Sequence, residues 1–167
     1  MQWVLKSVRV ACLLALLVGQ VQAENAVLEN RLMTLDLAGQ AAAAAVQSCA
    51  DSGYQVSVVV VDRSAVPQVV MRDVFASRFN TELAQRKANA AILAGTSTSA
   101  LSRNRADIRA ELNELGDVLV LAGAVPIRAA GSLLGAIGVS GAPGGDKDEA
   151  CARAGVESIQ ETLDFIE

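Results

Sequence analysis

The spacing of apolar residues along this chain predicts its elements before any single residue is weighed. "TLDLAGQAAAAAVQSCADSGY", residues 34–54, runs through strong helix formers from a cap at Thr34 or Asp36 to Gly53 and predicts a helix. "QVSVVVVD" and "QVVMRD" are rich in β-branched residues and are joined by "RSAVP". They predict a hairpin with Pro67 at its turn or at a strand end. "FNTELAQRKANAAILA", residues 79–94, is helical in rhythm and closed by Gly95, and "TSTSALSRNRADIRAELNELG" predicts one or two shorter helices ending at Gly116. "DVLVLAGAVPIRAAGSLLGAIGVSG" then predicts three short strands, parted at Gly123 and at Ala129–Gly131. The tail is helical, with Ala150, Ala154, Ile159, Leu163 and Ile166 as its expected apolar stripe. Hairpin-type connections dominate, so a mostly antiparallel sheet covered by helices is expected, in the α/β (α+β) class.

The first residues follow a different pattern. Lys6 and Arg9 precede the apolar run "VACLLALLVG", which ends in "VQA" at residues 21–23; residues 1–23 are expected to be a secretory signal peptide. The run is too short for a permanent membrane anchor. A single domain, residues 24–167, is then expected in the periplasm or outside the cell. Removing Lys6 and Arg9 takes the net charge from −4 to −6, and an acidic chain without a basic run is a poor nucleic-acid binder. Aromatic residues make up only 3% of the chain, so the core must be built from Ala, Val, Leu and Ile. Small side chains allow helices to approach a sheet closely.

The absence of histidine excludes Ser-His-Asp triads, Cys-His pairs and His-based zinc sites. Of the three cysteines, Cys49 and Cys151 remain after residue 23. An exported context favours a disulfide between first and last helices over paired metal ligands or two separate thiols.

"GAPGGDKDEACARAG" raises the question of a phosphate loop. Counted from Gly141, its second glycine position holds Asp146, and Asp148 follows Lys147 where a hydroxyl is needed; two carboxylates would repel phosphate. Helix start is the better expectation, with Asp146 and Glu149 as a variant capping box and Asp148 near the positive end of the helix dipole. A cation at Asp146, Asp148 and Glu149 is the alternative. Glu111 and Glu114 in "ELNE" share a helical face and form a candidate metal pair, set against an ordinary solvated helix. Asp62–Arg63 and Arg72–Asp73 close the hairpin strands, and Glu82, Arg86 and Lys87 adjoin one another on the following helix. Together they are candidates for one cavity, against a plain ion-pair network.

Three stretches, "YQVSVVVVDRSAVPQVVMRD", "ELAQRKANAAILAGTSTSAL" and above all "VPIRAAGSLLGAIGVSGAPGGDKDEACARAG", resemble in order and spacing the GlcG/HbpS family of haem-binding proteins, related to the C-terminal domain of PduO proteins. The resemblance implies a profilin-like α/β/α fold, a five-stranded antiparallel sheet with helices on both faces, a homo-oligomer, and haem or a related small ligand. Family members often carry histidine near the start of the second helix; Phe79 stands at that position here. Iron would then have to be held by Thr96, Thr98, Met71, Tyr54 or Lys87, or haem by apolar contact, with Arg63, Arg72 or Arg86 meeting the propionates. The rival expectation is an enzyme acting on a small organic acid or corrinoid, with Lys87, Glu82 and Asp62 as acid/base groups at a subunit interface. A third is a structural or signalling protein with no ligand.

Overall fold

The structure is a computed structural model that describes residues 30–165. The expected signal peptide and Ile166 lie outside the described residues. Helix α1 (Leu35–Asp51) begins at Thr34, whose hydroxyl accepts from Leu37 N–H at 3.3 Å, so Thr34 rather than Asp36 is the cap. Strands β1 (Ser57–Asp62) and β2 (Pro67–Arg72) form the expected hairpin. Helix α2 (Arg78–Ala94) ends at Gly95, which takes the left-handed conformation at φ +60°. Short helices α3 (Thr98–Asn104) and α4 (Arg109–Asn113) precede β3 (Ala124–Ala129) and β4 (Ser132–Ser140), and α5 (Gly145–Glu157) and α6 (Gln160–Asp164) follow.

Four strands, not five, form the sheet among the described residues, in the order β2-β1-β4-β3 with every pair antiparallel. The segment expected as a further strand, 117–123, does alternate: Val118 and Val120 are buried while Leu121 is exposed. It buries them against Ala90 and Leu101, however, not against a sheet. Until Gly123, whose carbonyl accepts from Val139 N–H of β4, its longer-range backbone bonds go to helix and side chain: Leu119 N–H to Arg86 O, Val120 N–H to Asn113 Oδ1, and Asn89 Nδ2 to Asp117 O.

The sheet is covered on both faces, which is why "SVVVV" in β1 is apolar without alternation. Val58, Val60, Ile137 and Val139 pack with Ala38, Ala41, Ala45 of α1 and Ala152 of α5. Val59, Val61 and Ala136 meet Ala84, Ala88 and Ala91 of α2. That second contact is close: a Cβ on Gly138 would overlap the Ala84 carbonyl oxygen and lie 3.0 Å from Ala88 N. The edge position of β3 tolerates Pro126, whose missing N–H costs no ladder bond there. The Cys49–Cys151 disulfide is present, with the Cα atoms 5.5 Å apart, and joins α1 to α5. Among the described residues, no helix is long and apolar enough to cross a membrane.

Candidate functional site

The start of α5 differs from its expected geometry. Its cap is Gly144, without a side-chain capping bond, so Asp146 and Glu149 form no capping box. The buried residues of α5–α6 are Asp148, Glu149, Cys151, Ala152, Gly155, Ile159 and Leu163; Ala150 and Ala154 lie off that face. Helical spacing accounts for this, since Asp148 stands three residues before the buried Cys151.

Asp148 is instead half of an internal ion pair. Lys87 Nζ donates to Asp148 Oδ2 at 2.7 Å and to Val139 O at 3.1 Å, while Asp148 Oδ1 accepts from Ala142 N–H at 2.9 Å. The side chains are 1% and 4% exposed. Gly123, at φ +134°, closes over the pair: a Cβ there would sit 2.7 Å from Lys87 Nζ and 2.9 Å from Asp148 Cβ. Lys87 therefore joins α2 to the start of α5, with its donors directed at protein groups.

Glu149, next along, reaches a different element. Its Oε2 accepts from Ser99 N–H at 3.0 Å, and its Oε1 accepts from Ser99 Oγ at 2.8 Å and from Arg153 Nη2 at 2.6 Å. Burial pushes the Glu149 carboxyl up, but the bonds from Ser99 and Arg153 together outweigh it and hold the group below the usual carboxylate range. Thr98, beside Ser99, is buried; its Oγ1 accepts from Ala124 N–H at 3.0 Å and contacts Ala124 O at 3.4 Å. This fixes the α2–α3 connection to the beginning of β3.

Two clefts flank that connection. One, of about 440 Å³, is lined by Gly95, Thr96, Ser97, Val125, Pro126 and the α5 residues Arg153, Val156 and Glu157. The other, of about 340 Å³, is more apolar, with Leu93, Ala94, Leu101, Ile108 and Leu112 as walls and Asn104 and Arg105 at its polar part. Thr96 lines both.

Of the residues singled out by sequence, Thr96 alone lines either cleft. Asp62 serves its own turn, accepting from Ser64 and Val66 N–H at 2.7 and 2.9 Å, with exposed Arg63 beside it. Met71 and Tyr54 pack on the α1 side of the sheet. Arg72 folds the following loop by donating to the carbonyls of Asp73, Val74 and Ala76. Phe79 is 57% exposed under the Arg78 guanidinium. Glu82 is exposed and 4.0 Å from Arg86, which donates to Val118 O. Glu111 and Glu114 are both exposed around α4, and no cluster of three or more His, Cys, Asp or Glu among the described residues is placed to hold a metal ion. Arg105, Arg153, Ser99, Asp148 and Glu149 are what spacing missed as a group. Glu149 and Asp148 meet partners 50 and 61 residues away, while the local pairs of Arg105 with Asp107 and Arg153 with Glu149 point to no cleft, and only the phase of Asp148 relative to Cys151 signals any of it.

The comparisons with known proteins agree with this architecture. The profile of the family described as haem degrading protein HbpS-like matches residues 33–157. The crystal structure of HbpS is 37% identical, covering 83% of this chain and 97% of its own, at a TM-score of 0.75. A double mutant of Streptomyces reticuli HbpS is 38% identical over 80% of this chain and 90% of its own, also at 0.75. A PduOC:heme complex is 25% identical over 77% and 96%, at 0.68. No curated protein sequence matches the chain. The family profile covers well over half of the chain and the HbpS structures share its fold from α1 to α5; this chain belongs to the HbpS-like family.

Proposed function

We propose that the protein is an exported, self-associating haem-binding protein that holds its ligand in the two clefts meeting at Thr96. The observation that carries this reading is the junction itself. Haem needs an apolar surface for its macrocycle and cationic donors for its propionates, and the walls supply both: Leu93, Leu101, Ile108 and Leu112 in one cleft, and Arg105 and Arg153 at the two rims. Both arginines are about half exposed and already meet a carboxylate each, Asp107 and Glu149, but each guanidinium has five donors to share. With no histidine in the chain, the Thr96 hydroxyl is the side-chain oxygen common to both clefts and the candidate to face the iron. The relation to a PduOC:heme complex and to the HbpS-like family supports the choice of ligand.

Export is supported by the charge and apolar pattern of residues 1–23 and by the Cys49–Cys151 disulfide. Self-association is supported by the three phenylalanines, Phe75, Phe79 and Phe165, all of which are more than half exposed while the core is aliphatic. The enzymatic alternative draws less support, because Lys87 pairs with Asp148, Glu82 is solvated and Asp62 closes a turn. Titration of the purified protein with hemin is expected to give a saturable, shifted Soret band. A spectrum matching free or non-specifically adsorbed hemin refutes the reading.

A further inference from the structure

We propose that Glu149 is the positioning residue of the paired clefts: its carboxylate ties the first turn of α3 to α5 and thereby fixes the Gly95–Ser97 junction between them. The functional half of this inference rests on the haem-binding reading above.

The cleft walls include two helices that are distant in sequence. Leu101 and Asn104 of α3, with Arg105 just past its end, line the apolar cleft, and Arg153, Val156 and Glu157 of α5 line the polar one. Helix α3 has its own cap, Ser97, whose hydroxyl accepts from Ala100 N–H at 3.3 Å. Glu149 adds something a local cap does not. It comes from 50 residues away and lays both carboxylate oxygens on Ser99, one on the amide and one on the hydroxyl. The same oxygen that meets the Ser99 hydroxyl takes Arg153 at 2.6 Å, so the guanidinium at the polar rim is aimed by the group that anchors α3. Glu149 is 5% exposed, and a buried carboxylate is a costly way to fill space; two-oxygen contact gives directional register that an apolar side chain of the same volume lacks. The junction is then held at each end. Gly95 O accepts from Arg128 Nη2 at 2.9 Å, and Thr98 is bonded to Ala124, leaving Thr96 suspended between fixed neighbours.

The test uses the whole protein, hemin, and three variants. Glu149→Ala removes both acceptors, Glu149→Gln keeps one, and Val58→Ala trims the core on the α1 side of the sheet without touching either cleft. Glu149→Ala is expected to weaken hemin binding about tenfold and to move the Soret band of the complex, with Glu149→Gln in between, while Val58→Ala lowers stability and leaves affinity and band position unchanged. Amide exchange on the ligand-free protein supplies the second readout: Ser99 N–H is protected in the parent and loses that protection in Glu149→Ala. Retained protection overturns the proposal, and so does lost protection with unaltered hemin affinity. If the parent protein itself fails to bind hemin saturably, the haem reading falls, and the latch between α3 and α5 is judged by the Ser99 amide alone.

Discussion

Replacing Lys87 by Met keeps most of the apolar stem of the side chain and removes the ammonium group, its charge and its donors to Asp148 and Val139 O together. Asp148 would then be left 3% exposed, with Ala142 N–H as its remaining donor. Removing one partner of a buried ion pair typically costs about 3 to 5 kcal/mol, because the other charge stays behind without compensation. Against a total stability of about 5 to 15 kcal/mol this is a large share, and for a domain of this size it corresponds to a fall in Tm of about 10 to 20 °C. Asp148→Asn retains an acceptor for Ala142 N–H but leaves the ammonium with Val139 O alone, and a comparable loss is expected. The double variant has no buried charge, so it should be no less stable than Lys87→Met by itself. Urea unfolding followed by far-UV circular dichroism measures all four proteins. Fluorescence would serve poorly, since the one tryptophan is Trp3. A loss below about 1 kcal/mol in Lys87→Met, or single losses that add within about 0.5 kcal/mol in the double variant, would refute the reasoning.

Three further expectations concern the frame around the clefts. Thiol labelling in guanidinium without reductant is expected to find Cys49 and Cys151 unreactive; denaturant is needed because both are buried, and stoichiometric labelling would exclude the bridge. With its ends 102 positions apart in sequence, the bridge restricts a long unfolded loop, and a Cys49→Ala/Cys151→Ala variant should lose about 2 to 5 kcal/mol in the same urea assay. Gly138→Ala adds a methyl against the backbone of Ala84 and Ala88, which cannot rotate away; a cost of about 1 to 3 kcal/mol is expected, and an unchanged unfolding midpoint would show that α2 can shift.

Much of the fold is legible because local chemistry and burial agree. The Ala and Val content announces close layers, the glycine at 95 ends α2 where the helical rhythm stops, and Ala130–Gly131, both at positive φ, make the two-residue turn between β3 and β4 that "AAG" suggests. The fifth strand fails for a definable reason. Alternation reports which side chains are buried and says nothing about what pairs with the backbone, and residues 117–120 find their long-range partners on α2 and Asn113. The charges at the strand ends mislead similarly. Asp62, Arg72 and Asp73 look like cavity groups in a list of charged residues, yet each is consumed by backbone groups of its own turn or the adjoining loop.

The same small-residue packing that makes the core legible also decides where a ligand can go. With Ala84 against Gly138 on one face and Gly155 against Ile137 on the other, the layers leave no room between sheet and helices for a macrocycle. The two clefts that meet at Thr96 open instead at the margin, where β3 is the last strand and the α2–α3 connection passes beside its first residue. A site there must be shaped by connections rather than by a packed element. Its positioning groups are therefore side chains that bridge elements, Glu149 to Ser99, Arg128 to Gly95 and Thr98 to Ala124, and such pairs carry no periodicity to read. Lys87 and Asp148 stand on the buried faces of α2 and α5 as folded and join those helices once the two faces are brought together, whereas the stripe expected on Ala150 and Ala154 leaves Asp148 outside it.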